Sequence, residues 1–512
     1  MLRFSVQTLL LNRPPKMAPE RLARIQRRRL ERLVRLAVER SPFYREKYRG
    51  IDRNRFELTD LPTTNKAELM ADFDRMVTDP NVRRAELARF IDNPENEGKY
   101  FQGQYAVSHT SGSQGQPMLI VQPKRLLELL YGLQMTRGNS RKASPLEAAR
   151  KLVRPCRLAI VTLKRGFYPS ASAFEYMPKV AKRYLNVLWL SQTDPDVLDR
   201  LNAFRPEVLT AYAGVLEELA LHAEAGRLHL APELRQVTNN SEVLTDRARA
   251  RIERAFDQKV LNNYATGECT FLTNACRTDD GAHVNADWAI LEVVDADYRP
   301  VPAGTPGAKV LITNLANTVQ PFLRYEVGDV LTMAQTPCQC GSRLPRVERI
   351  EGRSADTFWV EDGGRYRQLI SSVFKNAFDY TREVREWQAV QHARNALTIR
   401  LELLPGATLD APHAWNALNR QFDMYGFCNL IKVELQVVPR LGPDPRTGKF
   451  RRIVSEVGPP ADLEARLASA EPVSQGARPG SIFEADPAQT AYRPVSATIR
   501  AAHPASGPAR SE

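Results

Sequence analysis

The sequence predicts an α/β protein: a large N-terminal domain of layered α/β sheets with a small β subdomain, followed by a smaller α+β C-terminal domain. Three observations carry this expectation. From about Arg157 to Asn263 short β-rich runs alternate with helical segments, the pattern of a largely parallel sheet with helical crossovers. After Asp287 the texture changes to short strands and turns, and from about Arg353 a further run of mixed helices and strands follows, of ordinary domain size. The expected divisions are 1–350, 351–458 and a disordered tail over 459–512, where Pro, Ala, Ser and Gly displace periodic apolar residues.

Element by element, the stretch Arg21 to Arg49 repeats Leu, Ile and Val at helical spacing with arginines between, which predicts one amphipathic helix with a basic face. RLAIVTL reads as a strand, the region near Ala173–Leu185 as a helix, EVLTAYA as a strand and VLEELALHAEAG as a helix. LRQVTNN, a helix opening at Thr245, and KVLNNY complete the alternation. AILEVVD, AKVLITNL and FLRYEVGDVLTM predict antiparallel strands. In the last unit RQLISSVFKNAF and HAWNALNRQFDMYG read as helices, and VREWQAVQ, ALTIRLELL and IKVELQVV as strands.

Composition places the chain among soluble globular proteins: of 512 residues, 43% are hydrophobic and 26% charged. No apolar run is long enough to cross a bilayer, and the start MLRFSVQTLLLNRPPK lacks a cleavage pattern, so a cytoplasmic protein is expected. The net charge of +13 admits an anionic partner. No nucleic-acid motif accompanies it, which leaves two readings for the basic helix: a solvated face, or contact with a membrane surface.

Four segments can carry chemistry. SHTSGSQGQP (108–117) places Gly112 and Gly115 among hydroxyl and amide residues, a loop whose backbone N–H groups can surround phosphate oxygens, though without the GK[ST] ending of a Walker A loop. NNYATGE (262–268) follows a strand and offers a carboxylate for Mg²⁺ and a tyrosine for an adenine ring. PFLRYEVGD (321–329), with EGRSAD after it, supplies a carboxylate suited to two ribose hydroxyls and an arginine. PRTGKFRR (445–452) sets a lysine behind a glycine turn, able to neutralise charge at a phosphate. Each segment alone equally suits an ordinary turn, and Arg324 with Asp329 equally suits a structural ion pair.

Together, in this order, they resemble adenylate-forming enzymes. SHTSGSQGQP is similar to the TSGTTGxP loop, NNYATGE to YGxTE, PFLRYEVGD to PxxRYxTGD, EGRSAD to the GRxDD linker and DPRTGKFRRI to PRTxxGKxxR. The resemblance spans about 40–455, and FELTDLPTTNKAEL and CQCGSRLPRVERIEGR match the phenylacetate-CoA ligase and coenzyme F390 synthetase-like branch. It implies that Thr110, Ser111, Gly112, Ser113, Gly115 and Pro117 belong to the loop on the β- and γ-phosphates. Tyr264, with Ala265 and Thr266 following, would line the nucleotide pocket beside Ser241 and Glu242, and Glu268 would hold Mg²⁺. Asp329 would take the ribose hydroxyls, Arg353 the ribose or phosphate, and Lys449 would be the catalytic lysine on a mobile C-terminal domain. Departures from the pattern are Gln114, Ala265, Gly267, Val327 and Ala355, the last followed by Asp356.

The implied reaction joins ATP to a carboxylic acid, giving an acyl-AMP and then a thioester with coenzyme A. The rivals are an adenylyltransferase of the F390 synthetase type, transfer to a carrier protein or amine, and a degenerate nucleotide-binding scaffold. An aromatic or medium apolar acid is expected, with Tyr212, Ala213 and Gly214 at the acid pocket.

Cys276, His283, Cys338 and Cys340 form a three-thiolate, one-imidazole set of the kind that closes a structural Zn²⁺ site, with buried free cysteines as the other reading. Members of the resembled branch with a Cys, His, Cys, Cys zinc site favour the metal. Its role would be to tie the segment after Glu268 to the β subdomain. Cys156, Cys269 and Cys428 are bystanders in this reading.

Overall fold

The computed structural model describes residues 11–53, 55–110, 118–138, 154–162, 167–169, 175–177, 182–191, 194–240, 242, 244, 246–278, 280–353, 357–370, 372–378, 381–424, 426–442, 450–457 and 499–501. The chain divides into two compact units, with the break between Ser354 and Ala355. Among the described residues no helix is long and apolar enough to cross a membrane.

In the first unit helix α1 (Pro19–Arg40) buries Leu22, Leu30, Leu33, Val34, Ala37 and Val38 along one stripe. The single helix predicted over 21–49 is interrupted. Ser41 is extended, its hydroxyl accepts from Tyr44 N, and a short helix restarts over Pro42–Lys47. Pro42 has no N–H to continue the ladder and its ring pushes the preceding residue out of the α region, so Ser41 becomes a cap.

Strands β1 (Tyr105–His109) and β2 (Leu119–Pro123) form an antiparallel hairpin, and helix α2 (Lys124–Leu133) follows directly. Beyond it lies a five-stranded parallel sheet of β3 (Cys156–Thr162), β4 (Leu185–Ser191), β5 (Val208–Ala211), β6 (Gln236–Asn239) and β7 (Val260–Asn262), in the order β4-β3-β5-β6-β7. Helices α3 (Val197–Phe204), α4 (Ala213–Glu224) and α5 (Asp246–Phe256) are the crossovers among the described residues, and Leu201, Leu216, Leu219 and Ile252 pack with Leu209 and Val237 in one core. Of the helix expected near Ala173–Leu185, residues 173, 174 and 178–181 lie outside the described residues, and Leu185 opens β4 instead.

The β subdomain contains two antiparallel sheets. One is β10 (Ala289–Val294), β11 (Lys309–Asn314) and β12 (Tyr325–Val327). The other follows the order β13-β14-β9-β8, from β8 (Thr273–Ala275), β9 (Ala282–Val284), β13 (Asp329–Met333) and β14 (Arg346–Arg353). Arg324, at φ +43, immediately precedes β12, and its guanidinium bonds Glu292 at 3.0 and 3.2 Å and the Leu61 carbonyl at 2.8 Å. The structural partner of Arg324 is thus Glu292, and the Arg324–Asp329 pair that the sequence allowed is replaced by it.

The connection from β11 to β12 carries three fully buried amide side chains, Asn314, Asn317 and Gln320. Gln320 donates to Leu119 O at 2.9 Å and accepts from Val121 N at 2.8 Å, and Asn317 donates to Val121 O at 2.9 Å. The outer edge of β2 is therefore satisfied by side chains in place of a third strand.

The second unit pairs β15 (Thr357–Asp362) with β16 (Arg365–Ile370) through Gly363 and Gly364, both at positive φ. This two-residue hairpin turn needs left-handed backbone at both positions. It corrects the helix expected over RQLISSVFKNAF: the first four residues belong to β16, and helix α6 begins at Ser372 (Ser372–Phe378). Strands β17 (Val384–Ala393), β18 (Ala396–Leu403) and β19 (Lys432–Val438), with helix α7 (Ala411–Met424), fall where the sequence places them. β20 (Ile453–Ser455) and β21 (Ile499–Ala501) complete the order β20-β17-β18-β19-β21. Of the stretch 459–512, the described residues are those of β21, a backbone pairing that needs no apolar face of its own.

Gln320→Leu removes the only polar partners that its side chain gives Leu119 O and Val121 N. Each buried backbone group left unpaired costs about 1–3 kcal/mol, so urea unfolding of this variant is expected to show a loss of roughly 2–5 kcal/mol, with the second unit's transition unmoved.

Candidate active site and cysteine–histidine cluster

The carboxyl ends of β5, β6 and β7 meet at one edge of the parallel sheet, where ligands bind in sheets of this kind. The buried Asn239, at the end of β6, donates to Asn262 Oδ1 and to the Glu242 carbonyl, each at 2.8 Å, while its own Oδ1 has no partner among the described residues. Glu242 turns its carboxylate to the start of α4, accepting from Gly214 N at 3.1 Å. A carboxylate there is favoured by the helix dipole, so Glu242 anchors α4 beside Tyr212 and Ala213. Ser241 lies outside the described residues.

The segment after β7 is fixed by its neighbours. Tyr264 exchanges two bonds with the Thr273 hydroxyl, at 2.9 and 2.7 Å, and Asn263 accepts from Ala275 N at 2.7 Å. The buried Tyr264 donates its hydroxyl to Asp329 Oδ2 at 2.8 Å. Glu268 is buried, and its carbonyl accepts from Asn314 Nδ2 at 2.7 Å. Burial pushes the Glu268 carboxyl above the usual range and the charge of Asp329 adds to this, while hydrogen bonds from Tyr325 and Thr266 pull the other way. Desolvation thus outweighs the hydrogen bonds in the direction of the shift.

Two departures from the resembled pattern receive physical reasons. A Cβ at Gly267 would lie 2.6 Å from Ile120 Cδ1, 3.2 Å from Pro169 and 3.3 Å from Thr110 Cγ2. No hydroxyl side chain fits there, and Thr266 serves instead, bonding Glu268 and accepting from Cys269 N at 3.2 Å. Val327 pairs with Val310 in the core, where a threonine hydroxyl would need a partner. Ala265 is exposed.

Thr110 closes the base of the β1–β2 hairpin: its N donates to Met118 O and its hydroxyl accepts from Met118 N, both at 3.0 Å. Ser111, Gly112, Ser113, Gly115 and Pro117 lie outside the described residues. Through Gly267 the foot of this loop touches the segment that bears Glu268. Asp329 stands opposite Arg353 in the register of β13 and β14; Ala355, Asp356 and Lys449 are outside the described residues. The strands that flank the lysine loop are nevertheless clamped within the second unit. Arg452 makes a bidentate pair with Glu386 at 2.7 and 2.6 Å, and Leu441 N donates to Glu402 at 2.7 Å.

Thus Thr110, Tyr264, Thr266, Glu268 and Asp329 are brought together, while Glu242 serves a helix terminus. Tyr325, Asn239 and the amides of 314–320 were not singled out from the sequence. The signal for the amides was present as polar residues recurring in NLANTVQPF between two apolar strands.

The four predicted metal ligands also converge. Cys276, His283, Cys338 and Cys340 place their ligand atoms within 4.8 Å of one another, at one end of the β13-β14-β9-β8 sheet. Cys276 Sγ lies 3.5 Å from Cys338 Sγ, and Cys340 Sγ lies 3.3 Å from His283 Nε2. A tetrahedron with Zn–S of about 2.3 Å and Zn–N of about 2.0 Å has edges of roughly 3.5–3.8 Å. His283 Nδ1 faces the Leu344 carbonyl at 3.3 Å, the outer contact that fixes a metal-binding imidazole. The donor set and spacing fit zinc.

No family model matches the chain. It is 25% identical over 470 residues to phenylacetate-coenzyme A ligase of Thermus thermophilus, covering 85% of this chain and 96% of that protein. A shorter similarity, 28% over 197 residues, links 36% of the chain to 42% of Protein CapK of Staphylococcus aureus. In fold it is similar to 2-hydroxyisobutyryl-CoA ligase in its postadenylation state with 2-HIB-AMP, with a TM-score of 0.67 and 21% identity over 89% of this chain and 93% of that one. An open conformation of the same enzyme with 2-HIB-AMP and CoA gives 0.57, at 20% identity over 86% and 93%. Five motifs in order and a sequence likeness running through nearly the whole relative make this chain similar to phenylacetate-CoA ligase, and its layered fold with a smaller second unit is similar to that of a solved acyl-CoA ligase.

Proposed function

We propose that the protein is an AMP-forming acyl-CoA ligase, which activates a carboxylic acid with ATP and passes the acyl group to coenzyme A. The observation that carries this reading is the meeting of Glu268 and Asp329, each with a phenol donor, at the carboxyl edge of the parallel sheet and beside the foot of the β1–β2 loop. In the first step a carboxylate oxygen of the acid attacks the α-phosphorus of ATP. The new P–O bond displaces pyrophosphate and leaves acyl-AMP. In the second step the thiolate of coenzyme A attacks the acyl carbon and AMP departs.

Asp329 would accept the ribose hydroxyls, and Tyr264, bonded to one of its oxygens, would hold that carboxylate in place. Thr110 and its loop would surround the phosphates. Glu268 would hold Mg²⁺, which when bound neutralises phosphate charge. Lys449 would stabilise the charge that grows on the α-phosphate, and Arg353 would contact ribose or phosphate. The second unit would rotate about the segment 353–356 between steps, which sequesters the acyl-AMP from water. An aromatic or medium apolar acid is the proposed substrate, on the strength of Tyr212 and Ala213, both buried at the end of β5. Zn²⁺ would be structural, cross-linking the β8–β9 turn to the β13–β14 connection. Reduced cysteines throughout suit a cytoplasmic location.

Purified protein with Mg·ATP should release pyrophosphate only with an acid present, faster with coenzyme A. Acid-dependent release that coenzyme A leaves unchanged would move the acceptor to a carrier thiol, an amine or a hydroxylated cofactor, and silence across aryl and alkyl acids would overturn the reading. Lys449→Ala is expected to slow acyl-AMP formation by roughly 10²–10³-fold, the cost of losing one charge-stabilising group, with ATP binding retained by calorimetry. Elemental analysis should find about one zinc per chain, lost in Cys338→Ser/Cys340→Ser together with a lower melting temperature. A metal-free wild type would assign the cluster to free thiols.

A further inference from the structure

Helix α1 presents two opposed faces. Its apolar stripe is buried in the first unit's core. On the other side Arg21, Arg24, Arg28, Arg32 and Arg35 are all exposed. At 100° and 1.5 Å per residue they fall within an arc of roughly 80° and run along about 21 Å of helix. Among the described residues none of these arginines makes an ion pair or a side-chain hydrogen bond, whereas the helix's other central arginines, off the arc, do have partners. Arg27 bonds Glu31 at 2.7 Å, and Arg29 lies 3.3 Å from the centre of the Trp288 ring and bonds the Asp287 carbonyl. Glu39 falls on the same arc, one turn beyond Arg35 at the end of the helix, whereas Glu31, just off the arc, is held by Arg27 and Glu20 stands at the other end.

We propose that this face is an electrostatic docking surface for an anionic lipid bilayer. Five like charges in a line, with no carboxylate interleaved, repel one another until a surface of opposite sign covers them. A planar array of lipid phosphates suits the stripe better than two other polyanions. A helix reads nucleic acid by entering a groove about 12 Å wide, and α1 has half its circumference packed against the body. An acidic protein needs an apolar centre for a stable interface, yet the one exposed large apolar residue among those described is Val187, on β4. Headgroups ask for charge alone. Attachment of this kind is peripheral and reversed by salt, and it does not depend on the reaction assigned above.

The test is sedimentation of the full-length protein with phosphatidylcholine vesicles and with phosphatidylcholine–phosphatidylglycerol vesicles, at low and high salt. Binding is expected to the anionic vesicles at low salt and to be released at high salt. Arg24→Gln/Arg28→Gln/Arg32→Gln should bind roughly 100-fold more weakly, at about one fivefold step per charge. The corresponding triple lysine variant should bind as wild type, and pyrophosphate release in solution should be unchanged in both. Wild type that ignores anionic vesicles at low salt, or a glutamine variant that binds them undiminished, would overturn the proposal. Tighter binding to a duplex oligonucleotide than to the vesicles at equal salt would do the same, assigning the face to nucleic acid.

Discussion

Backbone at the edge of a buried strand must find hydrogen bonds, and here the edge of β2 finds them in the side chains of Asn317 and Gln320. The same segment holds Glu268 by its carbonyl, through Asn314, and Asn314 also accepts from Ala316 and Asn317 N at 3.0 and 3.1 Å. One connection between β11 and β12 therefore fixes both the hairpin that carries the proposed phosphate loop and the residue proposed to hold the metal. An amide offers donors and an acceptor at once, so it can complete a strand edge that an apolar residue would leave bare. The relative position of loop and carboxylate rests on these buried bonds and on the close packing of Gly267 against Ile120.

The electrostatics of the site follow from which groups are turned away. Arg324 sits one residue before Tyr325 and five before Asp329, close enough in sequence to neutralise Asp329. Its guanidinium is instead committed to Glu292 and to the carbonyls of Thr59 and Leu61. Tyr264 bonds Asp329, and Tyr325 and Thr266 bond Glu268. A neutral donor orients a carboxylate without supplying a counter-charge. The buried Glu268 is poorly solvated when alone, and a hard cation relieves that cost.

Much of this was legible in the sequence, because periodicity and motif order are local properties. The parallel alternation, the strands of both units and the convergence of Tyr264, Glu268 and Asp329 were readable, as was the grouping of Cys276, His283, Cys338 and Cys340. What escaped was set by contacts far apart in the chain. The helix over 21–49 reads as continuous by pattern, and only the backbone chemistry of Pro42 divides it. RQLI carries apolar spacing that suits a helix, but the Gly363–Gly364 turn pairs it with β15. The bond from Gly214 N that sets the Glu242 carboxylate at the first turn of α4 likewise joins residues far apart in the chain. The amides of 314–320 are invisible without β2, which lies about two hundred residues earlier and is pinned by them.

The departures from the adenylate-forming pattern bear on whether the chain has drifted away from catalysis. A protein that has lost its reaction accumulates changes without regard to the groups around the site. Here two of the three described departures, Gly267 and Val327, have a local counterpart. Gly267 removes a side chain that Ile120 and Thr110 would exclude, and Thr266, one position earlier, supplies a hydroxyl to the same carboxylate. Val327 fills a core position on β12, with Tyr325 two residues before it still reaching Glu268. The hydrogen-bonding requirement of each carboxylate is met, by different residues or by shifted ones. Compensation of this kind supports the proposed adenylation over a scaffold that uses only the outline of the fold.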